Sequence, residues 1–310
     1  MENSSNNILF LEKLVSQIEN KDKLHSKKIK SNIQFLSEHF PNQLDELIGL
    51  VKSYFINVGL SSERVADDYL KMIRDMRIEG IYFFKYGKYR CENQTIANDY
   101  VYSKPDVMSY YMNALLVSQV MWKHHFNIFM YFQTQIKSLF KNYSKLNILD
   151  IGPGHGFFSY IVKKEFPKYE TIDIVDISET SLEMTNKIIG TDGDKIRYFR
   201  KDVFDYGEEK KYDFIVLGEV LEHLDDPKGI LNKLSKLLNP GGVIWITVPT
   251  NSPALDHVYL FKTKEEIVEL VTDSGLRTIH QCNYFAEEMD EVDALKFKIT
   301  NLVGIFCVNI

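Results

Sequence analysis

The chain has 310 residues, with 43 acidic and 37 basic side chains and a net charge of -6. This length suffices for one large domain or two ordinary ones, and the apolar content is typical of a globular protein. The acidic balance argues against nucleic acid as a partner, since phosphate binding draws on clustered Lys and Arg. The sequence has neither a long apolar run nor a secretory signal, so it predicts a cytoplasmic protein without a membrane partner and leaves the oligomeric state open.

Residues 1–144 carry apolar side chains at helical spacing, as in Leu44, Leu47, Ile48 and Val51. Turn residues interrupt the pattern at intervals, which is typical of several consecutive helices. We therefore predict an all-α region at residues 1–144 that acts as a lid over a second domain at residues 145–310.

After residue 145, short apolar runs alternate with helix-length segments, which predicts an α/β domain with a mostly parallel sheet. The run at 302–310 leaves no room for a crossover helix, so we expect it beside its neighbour in antiparallel orientation. Thr263 and Glu266 predict a capping box at the start of a late helix. The predicted strands are residues 146–151, 171–177, 196–199, 214–217, 243–248, 277–285 and 302–310.

The first predicted strand runs into a glycine-rich loop that contains Gly152, Gly154 and Gly156. Glycine lets the backbone turn tightly and approach a ligand without an intervening side chain, and the next helix is expected to begin at Phe157. Ligands of open α/β sheets bind beyond the carboxyl ends of the strands. The loop therefore predicts a nucleotide-type site at this edge.

Acidic residues stand at the ends of four successive predicted strands, at Asp150, Asp176, Asp202 and Glu219. Asp150 can hold a cationic amino group, and Asp176 can accept hydrogen bonds from both hydroxyls of a ribose. Asp202 is placed to accept one from an adenine amine. Four acidic residues in these positions indicate a nucleotide-type site more specifically than a glycine loop alone does.

A dinucleotide-binding enzyme is the main competing interpretation, because its fingerprint is also glycine-rich. That fingerprint requires Gly-x-Gly-x-x-Gly, whereas Gly156 comes one position early and Phe157 stands where the third glycine belongs. Asp150 would also face an anionic pyrophosphate, while S-adenosylmethionine (SAM) carries an ammonium and a sulfonium. Charge therefore favours SAM.

The region at residues 146–250 resembles a class I SAM-dependent methyltransferase. The segments that carry the resemblance are residues 148–156, 174–177, 201–204, 212–227 and 238–248. It implies a seven-stranded Rossmann-like sheet with a final antiparallel hairpin, and SAM as the cofactor of an enzyme. It does not cover residues 1 to about 140, and it names no substrate. The predicted cofactor-binding residues are Asp150, Gly152, Pro153, Gly154, Gly156, Asp176, Ile177, Asp202, Val203 and Glu219.

Candidates for the acceptor side follow the fifth predicted strand, in a loop dense in polar residues. Methyl transfer requires alignment, exclusion of water and any deprotonation that the acceptor needs. His257, oriented by Asp256 or another carboxylate, is the predicted general base, and Asn251 is predicted to position the substrate. The sequence leaves open that Asp256 and His257 only cap and hydrogen-bond the loop.

A metal site is a further alternative, since Glu222 and His223 follow Glu219 by three and four positions and share a helical face with it. Together with His257 they supply two carboxylates and two imidazoles. The Glu-x-x-Glu-His pattern resembles that of certain magnesium-dependent O-methyltransferases acting on small RNAs or ubiquinone precursors. The same letters occur in metal-free relatives, so our primary prediction includes no metal.

Aromatic rings and polar side chains are concentrated in the helical region just upstream of the sheet. We interpret the stripe from Met121 to Phe132 as core packing. Tyr110, Tyr111, Asn113 and His124 are harder to explain as packing, and they are the predicted substrate contacts.

The predicted function is methyl transfer from SAM to the N, O or C atom of a small molecule, in secondary metabolism. Two other classes stay open. A helical region used for docking would indicate methylation of a peptide or protein, and a SAM-binding regulator would lack a closed acceptor pocket. The small molecule is favoured because the polar aromatic residues lie next to the cofactor domain in sequence.

Overall fold

The computed structural model describes residues 2–207 and 209–310, and side chains from residue 6 onward. Over these residues, no helix is both long and apolar enough to cross a membrane. The chain is helical up to residue 139 and is built on a sheet from residue 147, which confirms the change of architecture that the apolar spacing predicts.

The N-terminal part consists of helices joined by short turns. Their bounds are α1 (Glu2–Lys21), α2 (Lys23–His39), α3 (Pro41–Asn57), α4 (Ser62–Tyr86), α5 (Gln94–Ala97), a π-helix (Asn98–Tyr102), α6 (Pro105–Met121) and α7 (Lys123–Leu139). The side chain of Ser61 caps α4 by accepting the backbone N–H of Arg64, and Gly87 ends that helix in the left-handed conformation. The turn residues therefore define these helix ends.

The C-terminal part contains one seven-stranded sheet. Its strands are β1 (Asn147–Ile151), β2 (Thr171–Asp176), β3 (Ile196–Arg200), β4 (Tyr212–Gly218), β5 (Leu238–Thr250), β6 (Leu276–Phe285) and β7 (Asn301–Asn309). They lie in the order β3-β2-β1-β4-β5-β7-β6. The first five pair in parallel, and β7 pairs antiparallel with both β5 and β6. The predicted fold class and the antiparallel insertion of the last strand are confirmed.

Helices cover both faces of this sheet, which is why its strands read as continuous apolar runs. Their bounds are α8 (Phe157–Glu165), α9 (Glu179–Ile189), α10 (Pro227–Leu237), α11 (Lys264–Asp273) and α12 (Glu291–Lys296). The predicted cap of α11 is present, because Thr263 Oγ1 accepts the backbone N–H of Glu266. The Glu266 carboxylate accepts the N–H of Lys262 rather than that of Thr263.

Helix α7 packs directly on the sheet. The buried ring of Phe132 lies 5.3 Å from that of Trp245 on β5 and 6.1 Å from that of Phe306 on β7. These residues belong to a hydrophobic core that extends from α1 through α7 to the sheet. Since the core is continuous, the division at residues 144 and 145 stays a prediction, and the first residue of the predicted helical domain lies outside the described residues.

Candidate functional site

The glycine loop lies between β1 and α8, at the carboxyl edge of the sheet. Gly152, Gly154 and Gly156 have φ angles of 61°, 55° and 77°, in the left-handed region that favours glycine. A Cβ atom on Gly152 would lie 2.6 Å from Cγ2 of Val220, in the loop after β4. Both the backbone angle and the close approach therefore require glycine at position 152.

A cavity of about 580 Å³ begins at this loop and extends to the helices. At the sheet end it is lined by most of the residues predicted to bind the cofactor. These are Gly152, Pro153, Gly154, Asp176, Ile177, Asp202, Val203 and Glu219. The ends of four neighbouring strands meet there because β2, β1 and β4 are adjacent and β3 lies next to β2.

Two predicted cofactor residues do not line the cavity, namely Asp150 and Gly156. Asp150 is buried in β1, and its carboxylate accepts the hydroxyl of Ser159 on α8. The expected direct contact between Asp150 and an amino group of the cofactor is therefore wrong. The carboxylate is buried away from the cavity and holds the first turns of α8 through Ser159. Gly156 is the residue before α8, and a Cβ atom on it would lie 3.1 Å from the Cα of Thr185.

Asp176 and Asp202 keep carboxylate oxygens available at the cavity wall. Asp176 Oδ1 accepts the backbone N–H of Ser178 at 2.7 Å, and Asp202 Oδ1 accepts that of Phe204 at 2.8 Å. Burial raises the pKa of Asp176 to about 7. Each carboxylate has a second oxygen that can accept hydrogen bonds from a ligand, so the residues present fit a nucleoside with free hydroxyl and amine groups.

A second group of polar side chains lies beyond the ends of β4 and β5. Glu222 and His223 sit in a 3-10 turn (Leu221–His223), and the Glu222 carbonyl accepts the backbone N–H groups of Val258 and Tyr259 at 2.9 Å each. These bonds bring the loop of His257 against the turn. Ligand atoms of Glu222, His223 and His257 all lie within 4.8 Å of one another.

The Glu222 carboxylate is fully buried, and neither of its oxygens has a hydrogen-bond partner in the described part of the chain. Burial and the nearby charge of Glu219 raise the pKa of Glu222 well above its ordinary value. Glu219 is a predicted cofactor-binding residue and, in the alternative interpretation, a metal ligand. Its backbone φ is 55°, and one of its carboxylate oxygens is likewise buried without a hydrogen-bond partner. This acidic pair needs a proton or a cation.

Both imidazoles of the group lie beside Glu222, and His223 Nε2 is 3.7 Å from a Glu222 carboxylate oxygen. His257 Nδ1 lies 2.6 Å from the carbonyl oxygen of Ser252, and His223 Nδ1 lies 3.0 Å from that of Asp256. A carbonyl only accepts, so each Nδ1 carries the proton and each Nε2 has a free lone pair. Burial lowers the pKa of His257 to about 4, so this ring is neutral near neutral pH.

Asp256 lines the cavity but does not hydrogen-bond the ring of His257. Its carboxylate instead accepts the hydroxyls of Tyr102 at 3.0 Å and Tyr111 at 3.3 Å, both from the helical part. The expectation that Asp256 orients His257 is therefore wrong in its geometry, because the Ser252 carbonyl holds the ring. Asp256 links the loop to the helices.

The predicted substrate contacts divide into two sets. Tyr111 and His124 line the cavity, whereas Tyr110, Asn113 and Asn251 do not. Tyr110 precedes Tyr111 on α6 by one position and Asn113 follows it by two, and successive residues of a helix point about 100° apart, so these two side chains face away from the cavity.

Each of the misplaced residues has another partner. Tyr110 donates to Asp75 at 2.6 Å, and Asn113 donates to Asp68 at 2.9 Å. Asn251 donates through its side-chain amide to the Lys262 carbonyl at 2.9 Å. These side chains are used within the protein, so the predicted contacts at the three positions are not supported by their places in the fold.

Cavity residues that the sequence analysis missed follow helical periodicity on four helices. The missed residues on α6 and at its C-terminal end are Met108, Met112, Leu115, Gln119 and Trp122. Similar positions recur on α2 (Lys28, Ile29, Asn32), α4 (Ile73, Met76, Arg77) and α7 (His125, Ile128, Phe129). The three-and-four spacing was visible in the sequence, but a face turned to a cavity has the same spacing as one turned to a core.

Comparisons with known proteins agree with this geometry. A profile of the family described as methyltransferase domain matches residues 124–284, just over half of the chain. Malonyl-acyl-carrier-protein O-methyltransferase 1 of Ilyobacter polytropus is 29% identical over 161 residues, which cover 48% of this chain and 59% of that protein. A ubiquinone biosynthesis O-methyltransferase of Vibrio parahaemolyticus is 25% identical over 160 residues, or 50% of this chain and 66% of that protein.

The fold is also similar to a solved structure, that of a magnesium protoporphyrin IX methyltransferase from Synechocystis with bound SAM. The two share 15% sequence identity with a TM-score of 0.50, over 71% of this chain and 98% of that one. At this identity the likeness concerns the fold. Together with the family match, the glycine loop and the acidic strand ends, it leads to one conclusion: the chain belongs to the methyltransferase domain family and has the class I SAM-dependent methyltransferase fold, with an N-terminal helical region.

Proposed function

We propose that this protein transfers the methyl group of SAM to a small-molecule acceptor held between the sheet and the helices. The observation that carries the proposal is the continuity of the cavity, which joins the glycine loop to side chains of α2, α4, α6 and α7. A cavity covered by helices suits a small molecule that must be shielded from water during transfer. Transfer to N, O or C, and a role in secondary metabolism, belong to the same proposal.

Each end of the cavity has a distinct task. When bound, SAM supplies an electrophilic methyl group. Gly152 and Gly154 allow the backbone to approach the cofactor, and Asp176 and Asp202 accept its hydroxyl and amine hydrogens. The helical side chains orient the acceptor and exclude water. His257 is positioned to take a proton through Nε2, with Asp256 holding its loop in place.

The name of the Ilyobacter polytropus relative indicates an acceptor attached to a carrier protein. This leaves methylation of a peptide or protein partner as the alternative, with the helices as a docking module. The test is to incubate the full chain with methyl-labelled SAM and a cell extract, and to separate small molecules from protein by ultrafiltration. We expect the label in a small-molecule product that chromatography of the filtrate separates from SAM itself. Label only in the protein fraction would favour the alternative.

A divalent cation is a second candidate, supported by the buried unpartnered carboxylate of Glu222. The Glu222 oxygens and the Nε2 atoms of His223 and His257 would hold it, with Glu219 beside them. Backbone carbonyls fix both imidazoles through Nδ1, which is the support that histidine ligands usually have. A bound cation would polarise an acceptor oxygen and favour its deprotonation.

Calorimetry with Mn²⁺ alone tests this candidate without turnover. We expect binding to the protein as isolated after chelation, and its loss in Glu222→Gln. Glu287→Gln is the matched control, since Glu287 lines the far rim of the cavity and is paired with Lys28. Absence of Mn²⁺ binding, with activity unchanged in chelator, would contradict the candidate and leave His257 as a base.

A further inference from the structure

We infer that the helical end of the cavity is a binding chamber for an uncharged, apolar acceptor body that carries a neutral hydrogen-bonding group. The helical chamber is defined here as the part of the cavity lined by α2, α4, α6, α7 and Trp122, which joins α6 to α7. The inference rests on the proposed function only in taking its occupant to be the acceptor.

Aliphatic, methionine and phenylalanine side chains are the largest group in the chamber wall. They are Ile29, Ile73, Met76, Met108, Met112, Leu115, Ile128 and Phe129. Methionine is unbranched and adaptable, so Met76 can adjust to the shape of a ligand. Met112 connects the two ends of the cavity, because a Cβ on Gly154 would lie 3.6 Å from its Cε. An apolar body bound in the chamber therefore lies next to the cofactor loop.

The charged residues of the chamber, Lys28 and Arg77, are each paired with a carboxylate that lies outside the chamber. Lys28 on α2 pairs with the Glu287 carboxylate and donates to the Ala286 carbonyl at 3.1 Å. Arg77 on α4 pairs with Asp22 at 2.9 Å. A charged ligand body would have to compete with these pairs or be buried without a counter-ion, which is costly. The described lining therefore favours an uncharged body.

Most polar side chains of the chamber are also satisfied within the protein. Asn32 donates to the Met121 carbonyl at 3.0 Å, and Gln119 donates to that of Leu115 at 2.8 Å. Trp122 donates through its indole N–H to the hydroxyl of Tyr69 at 2.8 Å. These groups stabilise the wall and have little capacity left for a ligand.

His124 is the exception. Its ring is 8% exposed, lines the cavity and stacks on Trp122, with centroids 5.5 Å apart. None of the hydrogen bonds seen among residues 6–207 and 209–310 involves its ring nitrogens. Burial lowers the pKa of His124 to about 3, so the ring is a neutral donor and acceptor. It therefore suits a hydroxyl or carbonyl group rather than a carboxylate or ammonium.

Calorimetry on the full chain saturated with S-adenosylhomocysteine tests the chamber without turnover. The probes are linear 1-alkanols from butanol to decanol, with the matching alkanoates and alkylammonium ions. We expect alkanol affinity to rise about fourfold per methylene until the chamber is filled. The charged series should bind at least about tenfold more weakly at equal length. No dependence on chain length, or tighter binding of a charged series, would overturn the inference.

The same alkanol titrations on substituted proteins test whether the alkanols bind in the helical chamber. Met76→Gln should flatten the dependence on chain length, while Met130→Gln is the control, because Met130 is half-buried on α7 away from the lining. His124→Phe should lower the affinity of every alkanol about fivefold without changing the slope, and His124→Gln should restore part of it. Equal behaviour of the Met76 and Met130 variants would contradict the assignment.

Binding of S-adenosylhomocysteine by each variant reports whether the cofactor end is intact. Intact cofactor binding with a flat alkanol series would contradict the chamber alone. A chain-length dependence without any methyl transfer to extract components would contradict the proposed function instead. The two failures are therefore distinguishable.

Discussion

The two ends of the cavity are built in different ways. At the cofactor end, Gly152 and Glu219 lie in the loops directly after β1 and β4, and Asp176 is the last residue of β2. At the acceptor end, Met76, Tyr111 and His124 come from faces of three different helices. Loops fixed by strand ends tolerate little change, whereas a helix face can be varied without altering the backbone. The difference indicates that cofactor binding and acceptor choice can be changed separately.

The largest expected effect concerns the cofactor end. Asp176→Asn should weaken binding of S-adenosylhomocysteine about a hundredfold, because the half-buried side chain can no longer accept two hydroxyl hydrogens as an anion. Calorimetry measures the affinity. Asp205→Asn, an exposed acidic residue after β3, is the control and should bind normally. An unchanged affinity in Asp176→Asn would show that the ribose lies elsewhere.

A somewhat smaller effect is expected for Gly152→Ala. The left-handed backbone and the approach of Val220 both oppose a Cβ atom, and we expect cofactor affinity to fall roughly thirtyfold. Thermal unfolding with and without S-adenosylhomocysteine checks the loss. The double variant Gly152→Ala/Val220→Ala removes the close contact but keeps the strained φ angle, so it should recover only part of the affinity. Full recovery would mean that the backbone angle costs nothing.

Proton binding by Asp176 should make cofactor affinity depend on pH. Its pKa is about 7 in the ligand-free protein, raised by burial, so the carboxylate is mostly ionised above pH 7 and mostly protonated below it. Since hydroxyl groups bind the ionised form, affinity should rise with pH and level off above 7. Below 7 it should fall about tenfold per pH unit. Titration calorimetry from pH 5.5 to 8.5 measures this. Asp176→Asn should weaken the dependence to what Asp150 and Glu219 contribute, since burial raises the pKa of each of these to about 7 as well.

A smaller loss is expected for a substitution at the acceptor end of the cavity. Tyr111→Phe removes a buried donor from Asp256 and should lower kcat/KM for the acceptor about fivefold, with cofactor affinity unchanged. Tyr110→Phe removes a similar bond to Asp75 away from the cavity. It should leave kcat/KM unchanged and lower only the melting temperature. Steady-state rates with the acceptor found in the extract assay compare the two variants, and equal losses would contradict the placement of Tyr111.

The sheet, its last antiparallel strand and most residues of the proposed cofactor site could be predicted from the sequence alone. Strands alternate with helices in the chain, and the carboxyl ends of adjacent parallel strands necessarily meet at one edge. The positions of Gly152, Asp176, Asp202 and Glu219 at that edge therefore follow from local patterns. Asp150 was predicted to contact the cationic amino group of SAM because it is an acidic residue at a strand end. Its carboxylate instead accepts a hydrogen bond from Ser159 on the next helix.

The residues at the acceptor end could be identified only once the packing of the helices on the sheet was known. Helical periodicity shows that a face is apolar, but a cavity and a core require the same spacing, so Met112 and Leu115 gave no separate signal. Likewise the partners of Asp256 are tyrosines more than a hundred residues away, at Tyr102 and Tyr111. Contacts of this kind depend on how the helices pack on the sheet. That packing depends on many side chains that are far apart in the sequence, so no single segment predicts it.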